Sequence, residues 1–373
     1  MHSAATPSAS SLAASSPSIS MARAIPHSPE ALAAMSPMEL FVSQLSCELS
    51  LEARVDAMHR LPIVAYAMGC DATLTQLIPY LAGNILSDAS SSSTSNAALD
   101  SNSSHAKKNP RVEEDEVLLL LGEGLGHMVP HLIPGPKALP LLPVLEKLAS
   151  VEETVVRDKA VESIVKIVSL LYPQQPTTGN DKNIAAAAMF LLAMAKRLAG
   201  ADWFTSKVSV AGILPAIYGF IDLVYPQQNT SKAIVDPGFN GSNSSTSTAG
   251  DEARRELRQL YKELSEDDSP MVRRSAAKSV GSFVERVAGL KSSLHDILNI
   301  PKSPIQVSHM RKKACLEEIF PFYQQLCKDE QDNVRMLAIA SSGSIGRALG
   351  MDATVNYDLV LPIIRCGCSD LSW

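Results

Sequence analysis

One short pattern occurs three times in the chain: an acidic turn, then a valine followed by an arginine, then an apolar stretch. It lies at residues 151–160 (VEETVVRDKA), 268–274 (DSPMVRR) and 330–335 (EQDNVR). A turn-and-helix unit that recurs along a chain is typical of a helical solenoid, in which each repeat contacts only its neighbours. The pattern therefore predicts an all-α repeat protein, and it favours a scaffold over a catalyst.

The apolar residues after these turns also repeat their spacing. From Val272 to Val287 they fall on one broad face of a helix, which predicts burial along that face. The spacing fits least well in the last segment, where Ser342 and Gly346 occupy two of the apolar positions. The segments with this spacing begin at Ala53, Val117, Val156, Ser206, Val272 and Val334.

Each of these helices has an apolar segment before it that can serve as its partner. In three of those segments a proline follows one or two large apolar residues, namely Pro143, Pro321 and Pro362. A proline inside a helix removes one backbone hydrogen bond and bends the axis. Because a pair of helices cannot bury its inner faces alone, we expect about six complete pairs and one partial pair, stacked side by side.

Composition limits the alternatives. Aromatic residues are only 5% of the 373 residues, as expected for helices packed through Ala, Leu, Val and Ile. Lys and Arg (33) against Asp and Glu (39) give a net charge of −6, so we expect neither a nucleic-acid nor a membrane partner. No run of apolar residues is long enough to predict a membrane span. The six cysteines show no zinc spacing, and we expect reduced thiols.

Residues 1–36 are rich in Ser, Ala and Pro and are predicted to be a disordered leader, with a mitochondrial targeting segment as the alternative. Residues 37–373 are predicted to form the repeat array. Four polar insertions near 87–110, 173–182, 226–250 and 296–309 interrupt it, and we expect them to be flexible because they cannot bury enough apolar surface to offset the chain entropy. The first insertion lies within a pair of helices and the others lie between pairs.

Four segments carry a resemblance to a known family: residues 151–163, 197–206 (RLAGADWFTS), 267–277 (DDSPMVRRSAA) and 328–338 (KDEQDNVRMLA). They resemble successive HEAT repeats of the scaffold, or A, subunit of the type 2A serine/threonine protein phosphatase. The resemblance covers about residues 38 to 373 outside the insertions. It implies a right-handed α-solenoid of HEAT repeats. Because the family has a longer array, the chain is similar only to its amino-terminal half.

The resemblance also implies a function, that of a non-catalytic scaffold whose within-repeat turns bind a regulatory B subunit. The catalytic subunit binds repeats of the family that have no counterpart here, so it is an expected partner only if downstream repeats exist. The positions that match the B-subunit platform are Glu152, Glu153, Trp203, Phe204, Asp268, Pro270, Met271, Arg274, Glu330, Asp332 and Trp373.

Two features of these turns make physical sense without the family. Trp203 and Phe204 follow Asp202 at a predicted helix start and combine an apolar anchor with carboxylates, although Trp203 could instead pack between neighbouring repeats. A cation recurs at one position in four repeats, with an acid shortly before it, which predicts a ladder of ion pairs between repeats. Its members are Arg157, Lys207, Arg273 and Arg335.

The sequence predicts no enzyme, no cofactor and no metal site. Residues 122–126 (GEGLG) have no strand before them and keep the helical spacing, which favours a close contact between helices over a phosphate-binding loop. His127 and His131 have no nearby carboxylate or thiol to complete a metal site, and Cys366 and Cys368 lack the spacing of a redox pair.

Two other functions stay open at this point. One is a different HEAT-repeat adaptor, such as a transport receptor that binds cargo along its helices, and the other is a small enzyme built on a solenoid. The expected location is the cytoplasm, with the nucleus as a second location.

Overall fold

The computed structural model describes residues 30, 34–45, 50–85, 110–171, 181–226, 244–290, 307–350 and 353–370. In these ranges every regular element is a helix. Helices α1, α2 and α3 are Pro37–Gln44, Leu51–His59 and Leu61–Met68. Helix α4 covers residues 70–85, where α-helical Cys70–Ala72 and Ile78–Tyr80 alternate with π-helical Thr73–Leu77 and Leu81–Ile85. Helix α5 is Pro110–Met128.

The remaining helices follow in chain order. A 3₁₀ segment, Gly135–Leu141, leads into α6, Leu142–Leu148, and α7 is Thr154–Leu170. Helices α8 to α11 are Asp181–Ala199, Phe204–Val224, Ser244–Ser265 and Pro270–Val287. Helix α12 covers residues 309–326 as His309–Ala314, π-helical Cys315–Ile319 and Phe320–Leu326. Helices α13 and α14 are Asp332–Ala340 and Ser342–Ala348, and α15 covers 353–368 as Ala353–Val355, π-helical Asn356–Val360 and Leu361–Cys368.

We number the consecutive pairs as repeats 1 to 6: α1 with α2 and α3, α4 with α5, α6 with α7, α8 with α9, α10 with α11, and α12 with α13 and α14. Helix α15 is the first helix of repeat 7. The second helices form one layer, in which α3 contacts α5, α5 contacts α7, α7 contacts α9, and so on to α13. The first helices form the other layer, in which α8 contacts α10 and α10 contacts α12. The core runs continuously between the two layers from Phe41 to Ile363. The prediction of an all-α solenoid is confirmed.

Helix α11 illustrates how the sequence produces this arrangement. Pro270 occupies its first turn, where a missing N–H costs nothing, and Asp267 Oδ1 accepts a hydrogen bond from the Ser269 N–H at 2.9 Å in the turn before it. The residues at the predicted apolar spacing, including Val272 and Phe283, are all buried. The acidic residues therefore organise the turn, and the apolar face attaches the helix to both layers.

Prolines in the first helices have a more specific effect than a simple bend. In α4, α12 and α15 a π-helical turn lies directly before the segment that carries Pro79, Pro321 or Pro362. A proline cannot donate the usual backbone bond and its ring crowds the preceding turn, so the helix widens there by one residue. In repeat 3 the segment before Pro143 is a 3₁₀ helix instead.

The glycine-rich segment 122–126 forms close helix contacts, as predicted. A Cβ at Gly126 would come within 2.5 Å of Ser163 Oγ in α7, and a Cβ at Gly124 would lie 3.0 Å from Leu61 in α3. Ser163 Oγ donates to the Gly122 carbonyl at 2.8 Å. The glycines of α5 therefore let both neighbouring second helices approach its backbone.

Helix α9 is long and apolar enough to cross a membrane, and the bent pair formed by α3 and residues 70–83 passes the same test of length and composition. Within the array, however, 61% of the apolar stretch of α9 is buried. It contacts α7 and α11 in its own layer and α8 and α10 in the other. Its apolar character is thus explained by its position at the centre of the core.

Two of the predicted insertions end in residues that are helical. Helix α10 begins at Ser244, so residues 244–250 are helical, and α8 begins at Asp181. Near the start of α10, Gly250 packs directly on the Tyr225 side chain, which would lie within 2.4 Å of an added Cβ. Residues 87–109, 173–180, 227–243 and 296–306 of the insertions lie outside the described residues, as do residues 1–29 and 31–33 of the predicted leader and Trp373.

Candidate docking surface on the turns

The turns that join the two helices of a repeat form a row, which we call the turn ridge. It consists of residues 149–155, 200–204, 266–271 and 327–332 in repeats 3 to 6, together with Arg274. All the residues predicted for the regulatory-subunit platform that are described, from Glu152 to Asp332, have exposed side chains. The structure therefore presents them to solvent rather than to the core.

Direct bonds between successive turns hold the ridge together. The Lys207 ammonium binds Asp267 of the next turn at 2.9 Å, and Arg273 binds Asp329 of the turn after that at 2.6 Å. Arg335 continues the series by binding Asp370 at 2.6 Å. In each bond the cation comes from the second helix of one repeat and the carboxylate from the turn of the next. Neighbouring turns are thereby fixed side by side.

Two carboxylates of this ladder also accept a hydrogen bond within their own turns. Asp267 accepts a bond from Ser269 N–H, and Asp329 accepts one from Gln331 N–H at the same 2.9 Å. The hydrogen bond to Asp329 raises the pKa of the Arg273 guanidinium, so the pair stays fully charged. A single aspartate therefore shapes one turn and attaches the preceding repeat to it.

Arg157 differs from the expected ladder. Its guanidinium donates to the carbonyls of Val151 and Glu152 and to Thr154 Oγ1, all in its own turn. Burial lowers its pKa. The position that holds Asp267 and Asp329 in later turns is Ala201 in repeat 4, so no carboxylate is offered there. The turns of repeats 3 and 4 are instead joined by Thr205 Oγ1, which donates to the Ser150 carbonyl at 3.1 Å.

Trp203 and Phe204 lie on the outside of the ridge. Trp203 is 59% exposed and Phe204 37% exposed, and their ring centroids are 6.0 Å apart. The alternative that Trp203 packs between repeats is not what the structure shows, because Thr205 and Ser209 make that contact. Two adjacent exposed aromatic rings are a frequent centre of binding energy in protein interfaces.

The structure adds one residue that the sequence analysis missed. Val155 is 57% exposed in turn 3, at the position that Met271, 52% exposed, occupies in repeat 5. The sequence could have indicated this exposure, because Val155 comes directly before the buried Val156 and so lies outside the apolar face of the helix. Together with the two aromatic rings, these side chains give three consecutive turns an exposed apolar group.

Charged groups surround these apolar residues. Glu152, Glu153, Asp268 and Asp332 are exposed, and Glu330 shares the Arg273 guanidinium at 3.1 Å. Arg274 is exposed on the helix surface beside the ladder. The ridge is thus an apolar row with an acidic margin, which suits binding to another protein.

A second set of ion pairs, also missed, joins the first helices. Arg197 binds Glu146 with two bonds of 2.7 and 2.8 Å, and Arg258 binds Glu318 at 2.6 Å. Each of these pairs connects adjacent repeats. No pattern in the sequence signals them, because the partners are 51 and 60 residues apart and follow no shared motif.

Features of a catalytic or metal site are not found in the described part of the chain. No group of three His, Cys, Asp or Glu residues there could hold a metal ion. Burial raises the pKa of the Cys315 and Cys327 thiols to about 12, which makes them poor nucleophiles. The described cysteines are free, including the exposed Cys366 and Cys368.

Comparison with known proteins agrees with the repeats. The chain is 28% identical over 338 residues to a regulatory subunit of protein phosphatase PP2A from Schizosaccharomyces pombe, covering 90% of the chain and 42% of that protein. It is 30% identical over 251 residues to the protein phosphatase 2A scaffold subunit of Dictyostelium discoideum, covering 67% of the chain and 32% of that protein. The chain is a relative of the phosphatase 2A scaffold subunits. The resemblance seen in the repeats is thereby confirmed.

The chain spans less than half the length of the curated relatives that it matches. These relatives of the scaffold family are named as regulatory or scaffold subunits rather than catalytic ones, in agreement with the expectation that the chain is not an enzyme. No family model matches it. Among solved structures, a designed armadillo repeat protein superimposes with a TM-score of 0.35 at 13% identity, covering 85% of the chain and 100% of that protein.

Proposed function

We propose that the chain is a non-catalytic scaffold of a type 2A protein phosphatase and that its turn ridge binds a regulatory B subunit. The observation that carries the proposal is the row of exposed apolar side chains on successive turns, centred on Trp203 and Phe204. Exposed tryptophan has no role in the folded core, and such rings commonly anchor a partner. The names of the relatives support the phosphatase complex as the setting.

The ladder supports the same role. A rigid partner that contacts several turns at once binds well only if the turns keep their spacing, because mobile turns would lose entropy on binding. The ion pairs from Lys207 to Asp267 and from Arg273 to Asp329 supply that spacing without occupying the outer surface. The predicted location for this role is the cytoplasm, with the nucleus as a second location.

The test is the affinity of the purified chain for a recombinant regulatory B subunit. We expect Trp203→Ala to weaken binding by roughly tenfold to a hundredfold, as removal of a central anchor does. Smaller losses are expected for Pro270→Ala and for Glu153→Lys. If all three variants bind like the parent chain, the proposal is wrong.

Met271 provides a matched control. Met271 on the ridge is 52% exposed and Met189 on α8, in the other layer, is 57% exposed. Truncation of either to alanine removes the same atoms from equally exposed positions. We expect Met271→Ala to weaken B-subunit binding several-fold and Met189→Ala to leave it unchanged.

The catalytic subunit needs a separate experiment, because the chain spans only part of its relatives. We propose that these residues bind only the regulatory subunit. Capture of a purified catalytic subunit by the chain, without a B subunit, would contradict this division of partners.

A further inference from the structure

The arginines of the ladder share one contact with their own turn. In Arg157, Arg273 and Arg335, Nη1 donates to the two carbonyl oxygens that lie five and six residues earlier in the chain. The three guanidinium groups are therefore held in the same place relative to their turns. What differs among them is the other edge, formed by Nε and Nη2.

In two of the three arginines that edge binds a carboxylate from the next turn. Arg273 donates from Nε and Nη2 to the two oxygens of Asp329, at 2.6 and 3.3 Å, and Arg335 does the same to Asp370 at the same distances. In repeat 4 the position that matches Asp329 is Ala201. A methyl group accepts no hydrogen bond, and no acceptor among the described residues bonds to Arg157 Nε. One N–H of Arg157 Nη2 donates to Thr154 Oγ1 at 3.1 Å, which leaves Nε and the second N–H of Nη2 for another acceptor.

Arg157 is only 6% exposed, so its charge lies in a poorly solvated place. A carboxylate that reached it there would make a short, charge-assisted, two-bond contact that water screens weakly. Val155 lies two residues before it and Trp203 two residues after Ala201, so the place adjoins the apolar centre of the ridge. Contacts of this kind next to an apolar anchor commonly fix the register of an interface.

We propose that the Nε edge of Arg157 is a binding site for a carboxylate of the partner, an aspartate or glutamate that enters between turns 3 and 4 and occupies the position that Asp329 fills beside Arg273. This assignment rests on the proposed function and adds the chemical group that the partner must present. It differs from the predicted ion-pair ladder, in which Arg157 would have bound a residue of its own chain.

The acidic margin of the ridge does not oppose this contact. At the filled positions, Asp267 is followed directly by Asp268, and Asp329 by Glu330, so two carboxylates already lie side by side there. Asp329 nevertheless stays bonded to Arg273 at 2.6 Å, because the guanidinium offsets the repulsion. A partner carboxylate beside Glu153 and Asp202 is likewise repelled by these two carboxylates and attracted by the Arg157 guanidinium.

The test is Ala201→Asp, which supplies the carboxylate from within the chain. We expect the variant to unfold at a higher temperature, by ~2 °C or more, since it completes the ladder. We also expect its affinity for the regulatory B subunit to fall about tenfold, because the site is already filled. Ala201→Asn has nearly the same shape without the charge, and we expect it to bind the B subunit within about threefold of the parent chain.

The outcomes separate this inference from the proposed function. If Ala201→Asp is not stabilised, the assumed placement of Arg157 is wrong, and if it is stabilised but binds as the parent does, no partner carboxylate uses the site. Equal weakening by Ala201→Asn indicates a steric effect and also overturns the inference. In all these cases Trp203→Ala still tests the proposed function by itself.

A double-mutant cycle identifies the partner residue. Neutralising the correct acidic residue of the B subunit weakens binding to the parent chain and leaves binding to Ala201→Asp unchanged. If no acidic residue on the B-subunit surface behaves in this way, the inference fails.

Discussion

The two edges of the array are held together in different ways. On the turn edge one bond recurs with the same residue types at the same positions, as in Arg273 with Asp329 and Arg335 with Asp370. On the opposite edge, where one repeat connects to the next, the ion pairs follow no repeated pattern, and one cluster joins three helices. There Asp222 of α9 binds Arg311 of α12 at 2.7 Å and lies 3.5 Å from Arg254 of α10.

The difference follows from what each edge has to accommodate. The turns are short and similar, so one solution repeated along the chain keeps them in register. The connections on the other edge differ in length, and one of them runs from Tyr225 to the start of α10 at Ser244. Arg254 stabilises that junction by donating to the Tyr225 carbonyl at 2.6 Å. A regular edge suits a docking surface, whereas the irregular edge needs local, strong contacts.

The largest loss of stability is expected from a substitution at the opposite edge. Asp222→Ala leaves Arg254, whose side chain is 3% exposed, and Arg311 without their shared carboxylate. We expect a loss of about 3 kcal/mol in the free energy of unfolding, because Arg311 loses the carboxylate that binds it and the buried Arg254 keeps only the exposed Asp251 as an ion-pair partner. Urea denaturation measures it. Asp251→Ala removes an exposed partner of Arg254 and should cost much less; equal losses would mean that the cluster is not the centre of that edge.

The second largest loss of stability is expected at the most buried ion pair of the turn edge. Asp329→Ala removes both the bond to Arg273 and the bond from Gln331 N–H, and we expect a loss of about 2 kcal/mol in the free energy of unfolding. Glu330→Ala is the control, because that side chain is 74% exposed and shares the same arginine. Its expected effect is below about 1 kcal/mol. A larger loss in Glu330→Ala than in Asp329→Ala would reverse the assignment.

Helix packing gives a smaller effect. Gly126→Ala places a methyl group within 2.5 Å of Ser163 Oγ, and we expect a loss of about 1–2 kcal/mol from the forced separation of α5 and α7. At Gly122 the nearest atom to an added methyl is 3.6 Å away, which is ordinary contact. Gly122→Ala should therefore be neutral or slightly stabilising, since alanine favours the helix. Thermal unfolding of the two variants decides whether glycine is required at 126 and dispensable at 122.

The smallest effect is expected at Lys207. Its bond to Asp267 is partly exposed, with 27% and 15% of the two side chains accessible, so Lys207→Met should cost about 0.5–1 kcal/mol. The loss should shrink as salt concentration rises, because salt screens exposed pairs. Arg255→Met, which removes an exposed pair within α10, is the control and should cost less. A cost at Lys207 that does not depend on salt would point to packing instead.

Much of the fold is predictable from the sequence because its repeats are local. The apolar face from Val272 to Val287 and the acidic turn before it lie within one short segment, and both appear in the structure as expected. The exposed state of Trp203 was one of two alternatives that the sequence left open, since exposure depends on which residues the neighbouring repeat offers. The sequence did not indicate that residues 244–250 are helical, and the contact that Gly250 makes there is with Tyr225 of another repeat.

By itself the sequence determined the unit: a turn, a helix with one apolar face and a preceding partner helix, repeated often enough to require stacking. Only the tertiary structure decided which cations bind which carboxylates, because that depends on which turn lies beside each guanidinium. Arg157 and Arg273 occupy the same place in their repeats, yet Arg273 binds Asp329 of the next turn whereas Arg157 binds its own turn, and the matching residue of the next turn is Ala201. The spacing of apolar residues is a local property of one helix and can be seen in its sequence. An ion pair between repeats depends instead on the distance between atoms that are far apart in the chain.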